Sequence, residues 1–299
     1  MGRGLFGSVR TIRLSILSDF FVGTATVMLQ DILAHLKEPV VLTGLAQVGA
    51  AAVLAGLVVL LSRRRGLKLE TELSVAFLRG FLQIVAVGVV IGVLLTVPVW
   101  WSGLILLGMM GGATWISRQR GEGLPGVTTV SFVAIAVGAG LVIVTMTWAR
   151  AIEPTVRSLV PVGSLVIANA MKINGLALNR LKDELRDKRA EIEVGLSLGG
   201  PPGAVLARHL RTSVQASLIP VIDSLKSLGW VWIPGIMAGM ILGGENPIYA
   251  ALYQFVIMAM IFAAGGLTSM ITSLLMGRRV ITEAEQLRRI PARGTERGR

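Results

Sequence analysis

Residues 80–117 read GFLQIVAVGVVIGVLLTVPVWWSGLILLGMMGGATWIS, a stretch without a single Asp, Glu, Lys or Arg. About 20 apolar residues cross a bilayer as a helix, so this run is long enough to cross twice. Pro98 stands near its middle with Trp100 and Trp101 beside it. Proline breaks helices and tryptophan favours the membrane–water interface. The stretch therefore predicts two spans, 75–97 and 99–117, joined by a tight turn.

Working outward, 40–61 is uncharged and is followed at once by Arg63, Arg64 and Arg65. Further spans are expected at 127–148 and at 157–178, the latter holding Pro161, Asn169, Lys172 and Asn174. A sixth lies within 212–244, interrupted by Pro220, Asp223, Lys226 and Pro234. The seventh lies within 247–275, inside a second uncharged run, 246–277. The expected fold class is all-α: a polytopic membrane protein of about seven transmembrane helices. A transmembrane barrel would alternate apolar and polar residues over about 10 positions, which these runs do not.

Composition agrees. Of 299 residues 53% are hydrophobic and 15% charged, against about 25% charged in soluble domains. The net charge of +12 comes from Lys and Arg clustered in loops. Segments 62–73, 118–126, 179–213 and 278–299 carry four, two, seven and seven of them. The opposite loops carry Arg150 and Arg157, and the first 38 residues carry four more. The positive-inside rule makes the basic face cytoplasmic, with the N-terminus outside and the C-terminus inside. No stacking aromatics accompany the basic runs, so nucleic acid is not the expected partner. Residues 1–38 read as an amphipathic or loose extension, 39–277 as the membrane domain and 278–299 as a basic tail, where Thr282 and Glu285 have capping-box spacing for a short helix.

Enzyme chemistry finds little support. Cysteine is absent, which removes disulfides, thiolate metal sites and Cys nucleophiles. The two histidines, His35 and His209, read as polar-surface residues. No phosphate-binding glycine loop, G-x-S-x-G or H-E-x-x-H is present. No cofactor is implied. Gly111, Gly112, Gly265 and Gly266 lie in apolar runs and read as close helix packing. The methionines, Met171 and Met237 among them, are soft ligands in principle and flexible core filler by default.

The long hydrophilic stretch is 179–213. Leu178, Leu181, Leu185, Ile192 and Leu196 form one helical stripe, and Arg180–Glu184, Glu184–Lys188 and Arg189–Glu193 are opposite charges at i,i+4. A cytoplasmic helix is expected, broken by Gly199, Gly200, Pro201 and Pro202. From Glu191 to Gly200 it resembles the cytoplasmic coupling element of ABC transporter permeases, with a Glu leading to a Gly six residues later as Glu193 does to Gly199. More widely, the chain from about 40 to 285 resembles the FetB/YbbM-type permease family, whose plant relatives are the aluminium-sensitivity permeases. The likeness rests on PVGSLVIANAM (161–171), EVGLSLG (193–199), ASLIPVIDSLKSLG (216–229), PGIMAG (234–239), GENP (244–247), Tyr253-Gln254, and Arg79 four before Gln83.

The resemblance implies a non-enzymatic permease subunit in the cell membrane, working with a separate ATPase. It further implies a cargo of metal ions, with iron export and oxidative-stress resistance, and a homodimer of permease chains in membrane lipid. Glu191, Glu193, Leu196, Leu198 and Gly199 are then the expected ATPase-coupling residues. Arg79, Gln83, Asn169, Met171, Asp223, Lys226 and Met237 are candidates for the translocation path. A stand-alone secondary transporter, or an ABC permease for a non-metal small solute, remains the alternative.

Overall fold

The computed structural model describes residues 39–66, 70–94 and 98–288. The expectations for 1–38, including His35, and for 289–299 of the tail lie outside the described residues. The described chain is helical, with two isolated bridges and no strand among the described residues. It divides into two compact units, 1–90 and 91–299.

The first unit contains α1 (Pro39–Arg64) and most of α2 (Glu70–Leu94). Most of their described side chains are exposed, large apolar ones included, such as Val53, Leu54 and Ile84. Helices that show apolar groups outward suit lipid rather than water.

The second unit is built from α3 (Trp100–Arg118), a single 3-10 turn (Gln119–Gly121), α4 (Val127–Trp148), α5 (Val156–Asp187), α6 (Arg189–Ser197), α7 (Pro202–Ser227), α8 (Gly235–Leu242) and α9 (Pro247–Arg279). The expected break at Pro98 agrees with a turn there, where the Trp101 N–H donates to the Pro98 carbonyl at 3.1 Å. Helix α9 is central and packs on α4, α5, α7 and α8. One core cluster centres on Ile135, Val166, Ile257 and Met260, all buried. A second gathers Leu178, Leu181, Leu185, Ile192, Leu206, Met276 and Leu287 at one end of the unit.

Among the described residues, five helices are long and apolar enough to cross a membrane: α1, α2, α4, α5 and α9. The structure changes three expectations of detail. The fifth span and the hydrophilic stretch are one helix as far as Asp187. At 32 residues, α5 is about 48 Å long and outreaches the ~30 Å hydrocarbon layer. The region 212–244 is not one span. Helix α7 starts at Pro202, continues through Pro220 and ends at Ser227, and α8 is a separate piece of 8 residues. Finally, no helix starts at Thr282. Its N–H donates to the Gln286 carbonyl and its Oγ1 accepts from the Gln286 N–H at 3.1 Å, closing a turn with Glu285 at φ 55°. The turn pairs Ile281 with Leu287 and buries Leu287 in the second cluster, which a helix at Thr282 would not do.

Close approach explains Gly138 and Gly265. A Cβ on Gly138 would sit 2.8 Å from the Thr268 backbone nitrogen, so α4 and α9 meet backbone to backbone there. Gly265 makes room for Ile173 of α5, as expected for a packing glycine. Gly111, Gly112 and Gly266 have open space and do not serve this purpose within the described residues.

Candidate functional site

Helix α6 hangs from the end of α5 with little slack. The Lys188 N–H donates to the Glu184 carbonyl and the Ile192 N–H to the Lys188 carbonyl, both at 3.0 Å. Helical bonding is thus carried across the break at Lys188. At the other end Gly199 adopts φ +80°. Its N–H donates to the Leu196 carbonyl at 3.0 Å and the Gly200 N–H to the Gly195 carbonyl at 3.1 Å. These two bonds form a Schellman cap, which needs a left-handed residue where glycine stands. Pro202 then occupies the first turn of α7, where a missing N–H costs nothing.

The stripe read from the sequence is buried as expected. Leu178, Leu181, Leu185 and Ile192 are fully buried, and Leu196 packs half-buried beside them. Gly195 lets α6 lie against Val205 of α7. The opposite side of α6 faces outward with Glu191, Glu193, Val194 and Leu198 exposed, Leu198 by 82%. Of the three expected i,i+4 pairs, Arg189–Glu193 forms at 2.6 Å. Lys188 meets Glu191 at 3.7 Å, and Glu184 turns to His209.

His209 is not a surface residue. It is buried, and its Nδ1 lies 3.0 Å from Glu184 Oε2, donating to that carboxylate in the tautomer protonated there. This contact joins α5 to α7. Only the folded register of two helices reveals it, since the residues are 25 apart in sequence.

The same end of the unit collects the other basic segments. Arg279 Nη1 donates to the Gly126 carbonyl at 3.0 Å, and Arg189 Nη2 to the Leu287 carbonyl at 3.4 Å. The loop before α4, helix α6 and the turn after α9 therefore form one surface.

The path candidates are not gathered in the same way. Arg79 and Gln83 are exposed on α2, in the first unit. Asn169 spends its amide on its own helix, donating to the Leu165 carbonyl at 2.9 Å. Met171 packs partly against the first core cluster. Asp223 and Lys226 pair at 3.9 Å on an exposed face of α7, and Met237 is half-buried on α8. Among the described residues, no group of three or more His, Cys, Asp or Glu could hold a metal ion. Met258, Met260 and Met276 are buried as core filler.

Asn174 has a clear structural role. Its Nδ2 donates to Ser117 Oγ at 2.9 Å and its Oδ1 accepts from Thr272 Oγ1 at 2.5 Å, both buried. It ties α3, α5 and α9 together where all three lie within protein. A second hydroxyl contact, Ser217–Ser269 at 2.8 Å, ties α7 to α9. Buried polar groups in an apolar surround need such partners.

The family model described as an uncharacterised protein family, UPF0014, matches residues 45–281, and the chain belongs to that family. It is 31% identical over 247 residues to the UPF0014 membrane protein STAR2 of Oryza sativa subsp. japonica, covering 82% of this chain and 87% of that one. It is 30% identical over 249 residues to the protein ALUMINUM SENSITIVE 3 of Arabidopsis thaliana, covering 83% and 91%. It is 30% identical over 238 residues to the "Probable iron export permease protein FetB" of Escherichia coli (strain K12), covering 79% and 92%. No solved structure matches the chain. The chain is a multi-pass membrane protein of a permease family.

Proposed function

We propose that this member of the UPF0014 family is the permease subunit of an ABC transporter that exports metal ions, iron first among them, using ATP hydrolysed by a separate subunit. The observation that carries the coupling role is α6. It is a short helix capped by Gly199, clamped on its inner side by Ile192, and showing Leu198 and Val194 to the outside. An exposed apolar anchor between charged flanks is what a helix-in-groove contact requires. The iron cargo rests on the likeness to the Escherichia coli relative, whose name makes it an iron export permease.

The working unit is two copies of this chain with two ATPase subunits in the cell membrane. Seven spans, N-terminus outside, follow if α3 and α7 cross as well. Helix α3, at 19 residues, and α7, at 26, have the length. Their crossing is supported by the collection of 119–126, α6 and 281–288 at one end of the second unit, because α3, α4, α5, α7 and α9 each then run between the same two faces.

The test is ATPase stimulation of the reconstituted complex across a panel of metals. Fe(II) is expected to stimulate. A flat response to iron beside a clear response to a nucleotide-sugar or lipid would overturn the metal cargo. Transport that persists without any ATPase and collapses with a proton uncoupler would overturn the ABC assignment.

A further inference from the structure

A cavity of about 950 Å³ lies between the first half of α7, the end of α9 and the turn after it. It is away from the outward side of α6. Leu206, Leu210, Val214, Met270, Leu274 and Ile281 give it apolar walls. Two guanidiniums, Arg211 and Arg278, and two carboxylates, Glu283 and Glu285, also line it. None of these four forms an ion pair among the described residues.

Their order along the groove is informative. The uncharged run 246–277 ends at Arg278, so Arg278 marks the depth at which α9 leaves the hydrocarbon. Arg211 lies at a matching level. The residues just before the two arginines touch: a Cβ on Gly277 would be 2.8 Å from Leu210 Cδ1, and Ser273 Oγ donates to the Leu210 carbonyl at 3.3 Å. Val214, Met270 and Leu274 lie about one to two turns further into the span. Glu283 and Glu285 lie beyond its end, in the turn. Beyond the apolar end at Val214, Met270 and Leu274 the groove therefore presents its arginines first and its glutamates after them, with Leu206, Leu210 and Ile281 continuing the apolar wall alongside.

A phospholipid with an ammonium headgroup has the same sequence of chemistry: acyl chain, phosphate, ammonium. We propose that this groove binds one phosphatidylethanolamine molecule, its phosphate held by Arg211 and Arg278 and its ammonium facing Glu283 and Glu285. Basic sites between membrane helices at the cytoplasmic surface hold lipid headgroups in general. The two glutamates select among them, because a headgroup with phosphate and no ammonium meets like charge there. The site is independent of the cargo and of ATPase docking.

The full-length chain, extracted in mild detergent from a bacterial membrane containing phosphatidylethanolamine and phosphatidylglycerol, is assayed for retained lipid by mass spectrometry. Phosphatidylethanolamine is expected at about one per chain, enriched over its share of the membrane. Arg211→Gln with Arg278→Gln lowers retention at least tenfold, or about 1.4 kcal/mol, because the phosphate loses both of its cationic partners. Ala207→Trp, which fills the groove, does the same, and Arg180→Gln, on an exposed part of α5, changes nothing. Glu283→Lys with Glu285→Lys shifts the preference to phosphatidylglycerol, a gain that misfolding cannot produce. Retained lipid in the bulk membrane ratio, a co-purifying polypeptide in place of lipid, or a double-lysine variant with unchanged preference would each overturn the proposal.

Discussion

Leu198→Ala separates docking from folding. Leu198 is 82% exposed, so the chain itself makes little use of its side chain. Its truncation should change the stability of the permease by less than about 0.5 kcal/mol, as for other surface sites. If an ATPase groove covers it, nearly all of its apolar surface is buried on docking. Removing it then costs about 2 kcal/mol, or about 30-fold in affinity. Ile192, six residues earlier and fully buried, gives the opposite result. Ile192→Ala should cost about 2–5 kcal/mol of fold stability through a cavity. Glu193→Lys adds a charge test. The Arg189 contact it breaks is exposed on both sides and worth about 0.2–1 kcal/mol, so a larger loss of binding reports a basic partner surface. The assay titrates the ATPase subunit onto permease in lipid nanodiscs and follows thermal unfolding of the same samples. If Leu198→Ala binds within twofold of the parent chain, α6 is an ordinary surface helix and the coupling assignment is wrong.

Three further outcomes are expected. Gly199→Ala forces a Cβ into φ +80°, which costs about 1–2 kcal/mol, and Gly199→Asn costs less; thermal unfolding in detergent should rank them so, and equal midpoints would contradict the cap. Asn174→Leu leaves Ser117 and Thr272 without their buried partner and should destabilise by about 1–3 kcal/mol, read as a lower melting midpoint with ATPase docking retained in the folded fraction. In the cysteine-free parent, Arg64→Cys and Glu285→Cys should resist an impermeant thiol reagent in intact cells and react after permeabilisation, and labelling from outside would refute the seven-span orientation.

Much of the membrane architecture was legible because it depends on composition along the chain. The absence of charge across 80–117 and 246–277 gives α3 and α9 within a few residues of their ends, and the Pro98 break agrees with the turn before α3. The stripe at Leu178, Leu181, Leu185 and Ile192 survives the break at Lys188, because both helices pack on the same cluster. What composition could not give was anything that depends on register between distant helices. Glu184 meets His209, and Asn174 meets Thr272 from 98 residues away, through packing alone. The proline at 220 misled for a related reason. A single missing N–H weakens a helix locally, yet α7 is held on both sides of it, by Ser217 on Ser269 and by Val221 in the first core cluster. The proposed path residues carry no such packing signature, and the second unit leaves Asn169, Asp223, Lys226 and Met237 apart on three helices.

The connection from α6 to the membrane interior follows from α5. One helix of 32 residues carries Asn174, locked to α3 and α9, and ten residues later Glu184, locked to α7. Four residues beyond Glu184, the Lys188 N–H still donates to it, and α6 begins. A helix so continuously bonded transmits displacement along its axis with little loss over about 15 Å, the rise of those ten residues. In the proposed coupling, force applied to Leu198 reaches α7 through the turn at Gly199 and α5 through the length of α6. The fixed points that resist it are the His209 contact and the Asn174 network, and a transport cycle driven through α6 has to move these helices as a group or break one of those contacts. Breaking the Asn174 contacts strands its buried amide and the Thr272 hydroxyl in an apolar core, whereas Glu184 is already partly exposed and can exchange its partner for water. Of the two fixed points, the contact between Glu184 and His209 is the one with a partner that water can reach.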